Sequence, residues 1–297
     1  MEFRAIAFLV IALFFISSKG VIPKMNEAKT IAFCNQKGGV GKTVSTGCLG
    51  VSLAAAGKRV LLVDFDPQGN LTKGLGFKDK SLYKLSAKDL LLDQVNEVHR
   101  NWQDYIVSTD GLDLLPSNIN LAGMDLQLVG MMCRETLLKR ALDQFKPHYD
   151  YILIDSNPTL SLFTINTLVA ADSIIVPMQP EPYPTDGLED LLQIVHTAKK
   201  QLNPNLEIEG ILITMIDRRT KLSKHISSEV RAICNGKINV FQTEIPRCIK
   251  TAEASLYGKS PITYAPNSES AQAYRLLAKE VLNNGEGITK THTEPAR

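Results

Sequence analysis

The chain has 297 residues, 44% of them hydrophobic and 22% charged, with a formal net charge of +2. That length suits one large α/β domain with a sizeable core and is marginal for two, and the composition is ordinary for a globular protein. The small net charge does not by itself imply a nucleic-acid partner. The five cysteines (Cys34, Cys48, Cys133, Cys234, Cys248) form no C-x-x-C pair, so they read as reduced thiols of a cytoplasmic protein rather than a zinc site or disulfide frame.

Residues 5–16 (AIAFLVIALFFI) form an unbroken apolar run. It is shorter than the roughly 20 residues of a membrane span. It has the length of a signal-peptide core but is followed by a poor cleavage site. Three readings stay open: a segment upstream of a start at Met25, a membrane anchor, or a cleaved signal. Residues 1–24 are therefore set apart from a single domain over 25–283.

Beyond the leader, strand-like and helix-like stretches alternate. Residues 30–35 (TIAFCN) read as a short strand covered on both faces, followed by a glycine loop and a helix over 42–56. In such a strand-loop-helix unit, backbone N–H groups of the loop and helix start converge to cradle phosphate oxygens. Gly38, Gly39 and Gly41 supply the needed backbone freedom. Lys42 is placed to reach the β and γ phosphates, and the Thr43 hydroxyl to bind Mg²⁺. The general pattern G-x-x-x-x-G-K-[ST] nevertheless fails, because Gln36 occupies its first glycine position. What stands there is KGGVGKT, with a second lysine, Lys37.

Residues 59–64 (RVLLVD) form the next strand and place Asp64 and Asp66 at its carboxyl end. Further strands are expected at 112–115, 151–155 (YILID, ending on Asp155), 173–178 and 208–214. Helical periodicity marks 134–144, 162–171, 187–201, 223–235 and 270–283, and a polar, frayed tail is expected from residue 284 on. The alternation predicts an α/β fold: a doubly wound, mostly parallel sheet with helices on both faces. Ligands bind at the carboxyl ends of strands in such sheets, so all three acids can face the glycine loop. One would hold Mg²⁺ and another would orient the attacking water. Each could instead cap a turn or helix.

The strings KGGVGKT, VDFDPQGN and YILIDSNP, followed by ITMIDRRTKLS, TEIPR and AEASLYGKSPITYAP, resemble the deviant Walker-type ATPases of the ParA/Soj partition family, within the MinD/ParA superfamily. The resemblance runs from about residue 29 to 282. It implies an ATPase using ATP and Mg²⁺. It implies nucleotide contacts from Lys37, Gly38, Gly39, Val40, Gly41, Lys42, Thr43 and Val44, with Met215, Pro246 and Arg247 bordering the adenine. It places Thr43, Asp64 and Asp155 near the magnesium, and Asp66 as the acid that positions water. Lys37 would reach across a homodimer to the partner's phosphates and act with Lys42 in catalysis. Two departures stand out: Asp155-Ser156-Asn157-Pro158 in place of D-x-P-P, and the proline-rich Pro180-Glu181-Pro182-Tyr183-Pro184.

Residues 214–260 carry nine bases against four acids, a local excess that leaves the rest of the chain acidic. The family resemblance implies non-specific DNA binding by such a face in the dimer. Arg218, Arg219, Lys224, Arg231, Lys237 and Lys250 are the candidates, Arg231 foremost. Discharge by a ParB-type centromere-binding partner and a cytoplasmic, nucleoid-associated location follow from the same resemblance. A MinD-like membrane-positioning ATPase is the alternative. Against it, the chain ends in a polar tail with no apolar face, so a membrane partner is not expected. An iron–sulfur reductase would need cluster cysteines, and Cys133 alone lies in a plausible region.

Overall fold

The computed structural model describes residues 27–109, 111–159, 161–181, 188–234 and 237–291. The apolar leader and the prolines at 182 and 184 lie outside these ranges. Among the described residues, no helix is long and apolar enough to cross a membrane.

The first half of the chain contains β1 (Lys29–Phe33), α1 (Lys42–Ala55), β2 (Val60–Phe65), α2 (Asn70–Gly74), α3 (Ala87–Val95), β3 (Val107–Thr109) and β4 (Leu112–Leu115). After these come α4 (Met124–Leu128), α5 (Leu137–Leu142), β5 (Tyr151–Ser156), α6 (Leu162–Ala170), β6 (Ser173–Met178), α7 (Leu188–Gln201) and β7 (Glu207–Ile213). The chain closes with α8 (Lys221–Cys234), α9 (Ile249–Leu256), α10 (Pro261–Tyr264) and α11 (Glu269–Thr291).

The strands form one sheet in the order β3-β4-β2-β5-β1-β6-β7. All pairings are parallel except that of β3 with β4. The expected doubly wound α/β architecture is thus present. All residues of β2, β5 and β6 are buried, as strands covered on both faces must be. Alternate side chains feed two cores. Leu61, Val63, Ile152 and Ile154 point to the face covered by α3, α5 and α6. Leu62, Leu153 and Phe33 point to the face covered by α1 and α11. A buried aliphatic side chain contributes about 1.5–3 kcal/mol, so a one-residue slip of a central strand, which exchanges the two sets, is strongly disfavoured.

Several boundaries differ from the sequence-based expectation for local reasons. β1 stops at Phe33 because Asn35 turns out of the sheet and its amide donates to the Pro177 carbonyl at 2.7 Å. The helix expected over 134–144 is a 3₁₀ turn at Arg134–Thr136 followed by α5. The frayed tail expected from residue 284 is instead helical through Thr291. The buried stripe of α11 ends at Val281, and each further residue joins a helix already nucleated, which needs no new nucleus. Helix α3 went unpredicted. It begins with a capping box: the Ser86 N–H and hydroxyl both donate to Asp89 Oδ2, at 2.8 and 2.7 Å.

Candidate nucleotide-binding site

The adjacent order β2-β5-β1 brings three strand ends to one place. From β1 the chain enters the glycine loop, and Gly41, at φ +87°, turns it into α1. An L side chain would be strained at that angle. A Cβ on Gly38 or Gly39 would meet nothing within 4 Å and would project into open space. The first turn of α1 carries no acidic side chain to neutralise its N–H groups, which leaves a positive dipole end for an anion. Neighbouring strand ends hold the loop. The Thr214 hydroxyl donates to the Val40 carbonyl at 2.8 Å, and the Gln179 amide donates to the Gly39 carbonyl at 2.7 Å.

Lys42 lies almost wholly buried. Its Nζ donates to the carbonyls of Asn35 and Lys37 at 2.9 and 3.0 Å. Burial lowers its pKa, opposed by the charges of Asp155 and Asp66. Beneath the loop, burial pushes the Cys34 thiol up to about 12, so it stays a neutral packing residue. The Ser156 hydroxyl, at the departure from D-x-P-P, donates to the Phe33 carbonyl at 2.7 Å and ties β5 to β1.

Asp64 and Asp155 sit in register on β2 and β5, but their surroundings differ. Both Asp155 carboxylate oxygens are buried and neither has a well-formed hydrogen bond, although the Thr43 hydroxyl lies close enough to act on the carboxylate. Burial raises its pKa well above the usual carboxylate range, the Asp64 charge adds to this, and the Thr43 hydroxyl and Lys42 pull the other way. A buried polar group without a partner is costly. Beside Thr43, this carboxylate offers the hard oxygen donors that Mg²⁺ takes together with phosphate.

Asp64 is bonded into the protein. Its Oδ2 accepts the Thr72 N–H at 2.8 Å and the Thr72 hydroxyl at 2.6 Å, and its Oδ1 accepts the Asp66 N–H at 3.2 Å. Its pKa is pushed up to about 6, chiefly by burial. With these donors from Thr72, Asp64 anchors α2 to the end of β2. Thr72 extends the anchor, since its Oγ1 accepts the Ser117 N–H at 2.9 Å. Asp66, also buried, holds the following turn by accepting the Gln68 N–H at 2.9 Å.

A cavity of about 700 Å³ opens above the loop, lined by Gly38, Lys42, Thr43, Asp66, Ser156 and Pro158 among others. A second, of about 300 Å³, lies beside it and shares Gly41, Val44, Met215 and Ser255 with it; Pro246, Arg247 and Tyr274 are among its other lining residues. Met215, Pro246 and Arg247 are thus gathered next to the phosphate cradle, where the adenine border was expected. Met215 takes the left-handed conformation (φ +53°), which is unusual for such a side chain. Lys37 is exposed, and its ammonium pairs with Glu181 of its own chain.

The family comparison agrees with this geometry. Residues 28–208 match a family model described as an AAA domain. The chain is 47% identical over 259 residues to the sporulation initiation inhibitor protein Soj of Bacillus subtilis, covering 86% of this chain and 99% of Soj. It is 38% identical to the chromosome partitioning protein ParA of Caulobacter vibrioides, covering 87% and 95% of the two chains.

The chain belongs to the ParA/Soj family of partition ATPases.

Solved structures similar to this ParA/Soj-family chain carry the ligands its site would take. Cobyrinic acid a,c-diamide synthase from Mycobacterium smegmatis, with bound ADP and magnesium, superposes with a TM-score of 0.75 at 34% identity, covering 87% of this chain and 96% of that one. A putative plasmid partition protein from Borrelia burgdorferi, bound to AMPPNP, gives a TM-score of 0.71 at 25% identity, covering 87% and 100%. Among the described residues, no group of three or more His, Cys, Asp or Glu side chains could hold a metal. Cys133 is exposed.

The basic candidates of this ParA/Soj-family chain fall into two sets. Arg218, Lys224 and Lys237 are exposed on or beside α8. Arg219 and Lys250 are exposed but ion-paired, with Asp217 and Glu253 at 2.9 Å each, and Arg219 holds the Asp217 carboxyl down at about 2. Arg231, the foremost candidate, is part-buried and engaged within the protein. Its guanidinium donates to the carbonyls of Val240 and Phe241, at 3.2 and 2.9 Å, and to Glu244 at 3.3 Å. It follows Ser227, which bonds the same Glu244, by four residues on α8. That helical spacing turns Arg231 toward the protein, where its donors satisfy an irregular segment.

Proposed function

We propose that this chain is an ATP-driven dimerisation switch for DNA partition, with Mg²⁺-dependent hydrolysis. The single observation that carries the reading is the fully buried Asp155 carboxylate, without a formed hydrogen bond, beneath a glycine loop that carries a second, exposed lysine. Bound magnesium would neutralise phosphate charge as it builds during transfer. Thr43 and Asp155 are the residues that would hold it. Lys42 and the loop N–H groups orient the phosphates, Met215, Pro246 and Arg247 border the base, and Asp66 positions water.

Lys37 reaches a second subunit's phosphates once it leaves Glu181, so hydrolysis waits for pairing. Dimerisation doubles the basic surface. DNA binding without sequence preference through Arg218, Lys224 and Lys237, with Arg219 and Lys250 at its edge, then follows nucleotide state. A ParB-type partner discharges the dimer, and the protein works in the cytoplasm on the nucleoid.

Sedimentation with and without ATP and DNA tests the scheme. The expected result is a nucleotide-dependent dimer that co-sediments with DNA. Asp66→Ala should accumulate that dimer, and Lys37→Ala should bind ATP yet remain monomeric and inactive. A Lys37→Ala protein with undiminished turnover would refute the cross-subunit role.

A further inference from the structure

The cavity above the loop carries cations that the phosphate-loop motif does not account for. Lys73 and Lys78 line the same 700 Å³ space as Lys42 and Thr43. Lys73 lies one turn along α2 from Asn70, another lining residue, and its Nζ donates to the Gln68 carbonyl at 2.6 Å. Lys78 Nζ donates to the carbonyl of Leu256, the last residue of α9, at 2.8 Å. Both ammoniums therefore rest on neutral main-chain oxygens, and among the described residues neither forms an ion pair. Among the described residues, Asp66 is also the only one to line this cavity with a carboxylate.

The backbone beneath these two lysines is fixed. Helix α2 is held to β2 by the bonds from Thr72 to Asp64. Just beyond it, the chain passes the exit of α9 so closely that a Cβ on Gly258 would stand 2.7 Å from the Cα of Gly76. Side chains do not fit at that crossing, and both glycines have positive φ. The rim that carries Lys78 is thus a close backbone contact, and its ammonium spans from one side of the crossing to the other.

We propose that Lys73 and Lys78 are nucleotide-binding residues, a second cationic rim that engages the phosphate chain of ATP or ADP from the α2–α9 side of the cavity. This deepens the reading of the site as a nucleotide pocket and rests on it. In a lone subunit Lys37 is held by Glu181. Lys73 and Lys78 then supply cationic charge that the cross-subunit lysine does not, so affinity for nucleotide is set before pairing. Carbonyl-held ammoniums in a concave site attract polyphosphate with little loss to competing carboxylates.

Calorimetric titration with ADP and with a non-hydrolysable ATP analogue, each with Mg²⁺, tests this. The intact protein is compared with a Lys73→Met/Lys78→Met pair and a Lys73→Arg/Lys78→Arg pair, at low and at moderate salt. At low salt the Met pair should bind about tenfold more weakly, the size expected of two partly exposed charge contacts. Its affinity should also depend less on salt, while the Arg pair stays within about twofold of the intact protein. Nucleotide-free melting temperatures should coincide. A Met pair within about twofold of the intact protein would overturn the proposal, as would an Arg pair as weak as the Met pair. If the intact protein binds neither nucleotide, the nucleotide reading fails and the rim with it. If it binds both and the Met pair is undiminished, only the rim is lost.

Discussion

Asp64 and Asp155 stand opposite each other in register on β2 and β5, yet the protein's own donors satisfy Asp64 and leave both oxygens of Asp155 open. The same residue type at equivalent strand ends is therefore held in two ways: one carboxylate is bonded into the wall, the other is buried without such bonds. The difference arises because α2 follows β2 after the short turn 66–69 and brings Thr72 back onto Asp64.

Replacing Asp155 by Asn should stabilise the nucleotide-free protein, because it removes a buried charge without partners. A gain of about 1–3 kcal/mol is expected. Both acids have folded-state pKa values raised above the ordinary one, Asp64 to about 6 and Asp155 in the same direction. Their contribution to stability is thus complete below about pH 4 and is lost as pH rises through the folded values. The variant's stability should fall less over that range, and Mg²⁺ with ATP should no longer raise its melting temperature. Urea midpoints across pH, with and without Mg²⁺ and nucleotide, measure both effects.

Thr72→Val should cost about 2 kcal/mol, since it leaves Asp64 short of a donor and the Ser117 N–H short of an acceptor. Hydrolysis should fall as well, because α2 and the Asp66 turn share this anchor through the Ser117 hydroxyl, which donates to the Asp66 carbonyl at 2.9 Å. Chemical denaturation and steady-state turnover on the same preparation would show whether the two effects go together.

Arg231 and Arg218 should separate stability from DNA binding. Arg231→Ala removes the donors that hold the Val240 and Phe241 carbonyls and Glu244, so about 1–3 kcal/mol of stability should go. Arg218→Glu should leave the melting temperature unchanged and weaken DNA binding. The slope of log affinity against log salt should drop by about 0.9 for each phosphate that the variant no longer neutralises. Fluorescence anisotropy with a labelled duplex at several salt concentrations reads this directly.

Gly258→Ala should destabilise the protein by about 1–3 kcal/mol, because the new Cβ enters the Gly76 backbone at a positive φ. Gly57→Ala is the control: its φ is also positive (+82°), but a Cβ there meets nothing within 4 Å. The control should lose only the backbone-strain part, about 1 kcal/mol. The difference between the two urea midpoints isolates the steric share.

Much of this molecule was legible in the chain itself. The buried strands announced themselves as short Ile/Val/Leu runs without polar alternation, because a parallel strand covered on both faces has no side to give to water. KGGVGKT between a strand and a helix marked the phosphate cradle, since only small residues allow that backbone path. The capping box at Ser86 and Asp89 was present in the letters and would have revealed α3.

Other features were decided only in three dimensions. Whether a carboxylate at a strand end is open or satisfied depends on what the next helix brings back to it, as Thr72 does for Asp64 and nothing does for Asp155. Whether an arginine in a basic stretch faces solvent depends on which carbonyls lie within its reach, and Arg231 finds two. Lys73 and Lys78 became part of the cavity because Gly76 and Gly258, far apart in sequence, touch. Local sequence sets backbone path and hydrophobic period, which are properties of neighbours along the chain. Hydrogen-bond satisfaction and charge pairing are properties of neighbours in space, and only the packed fold chooses those.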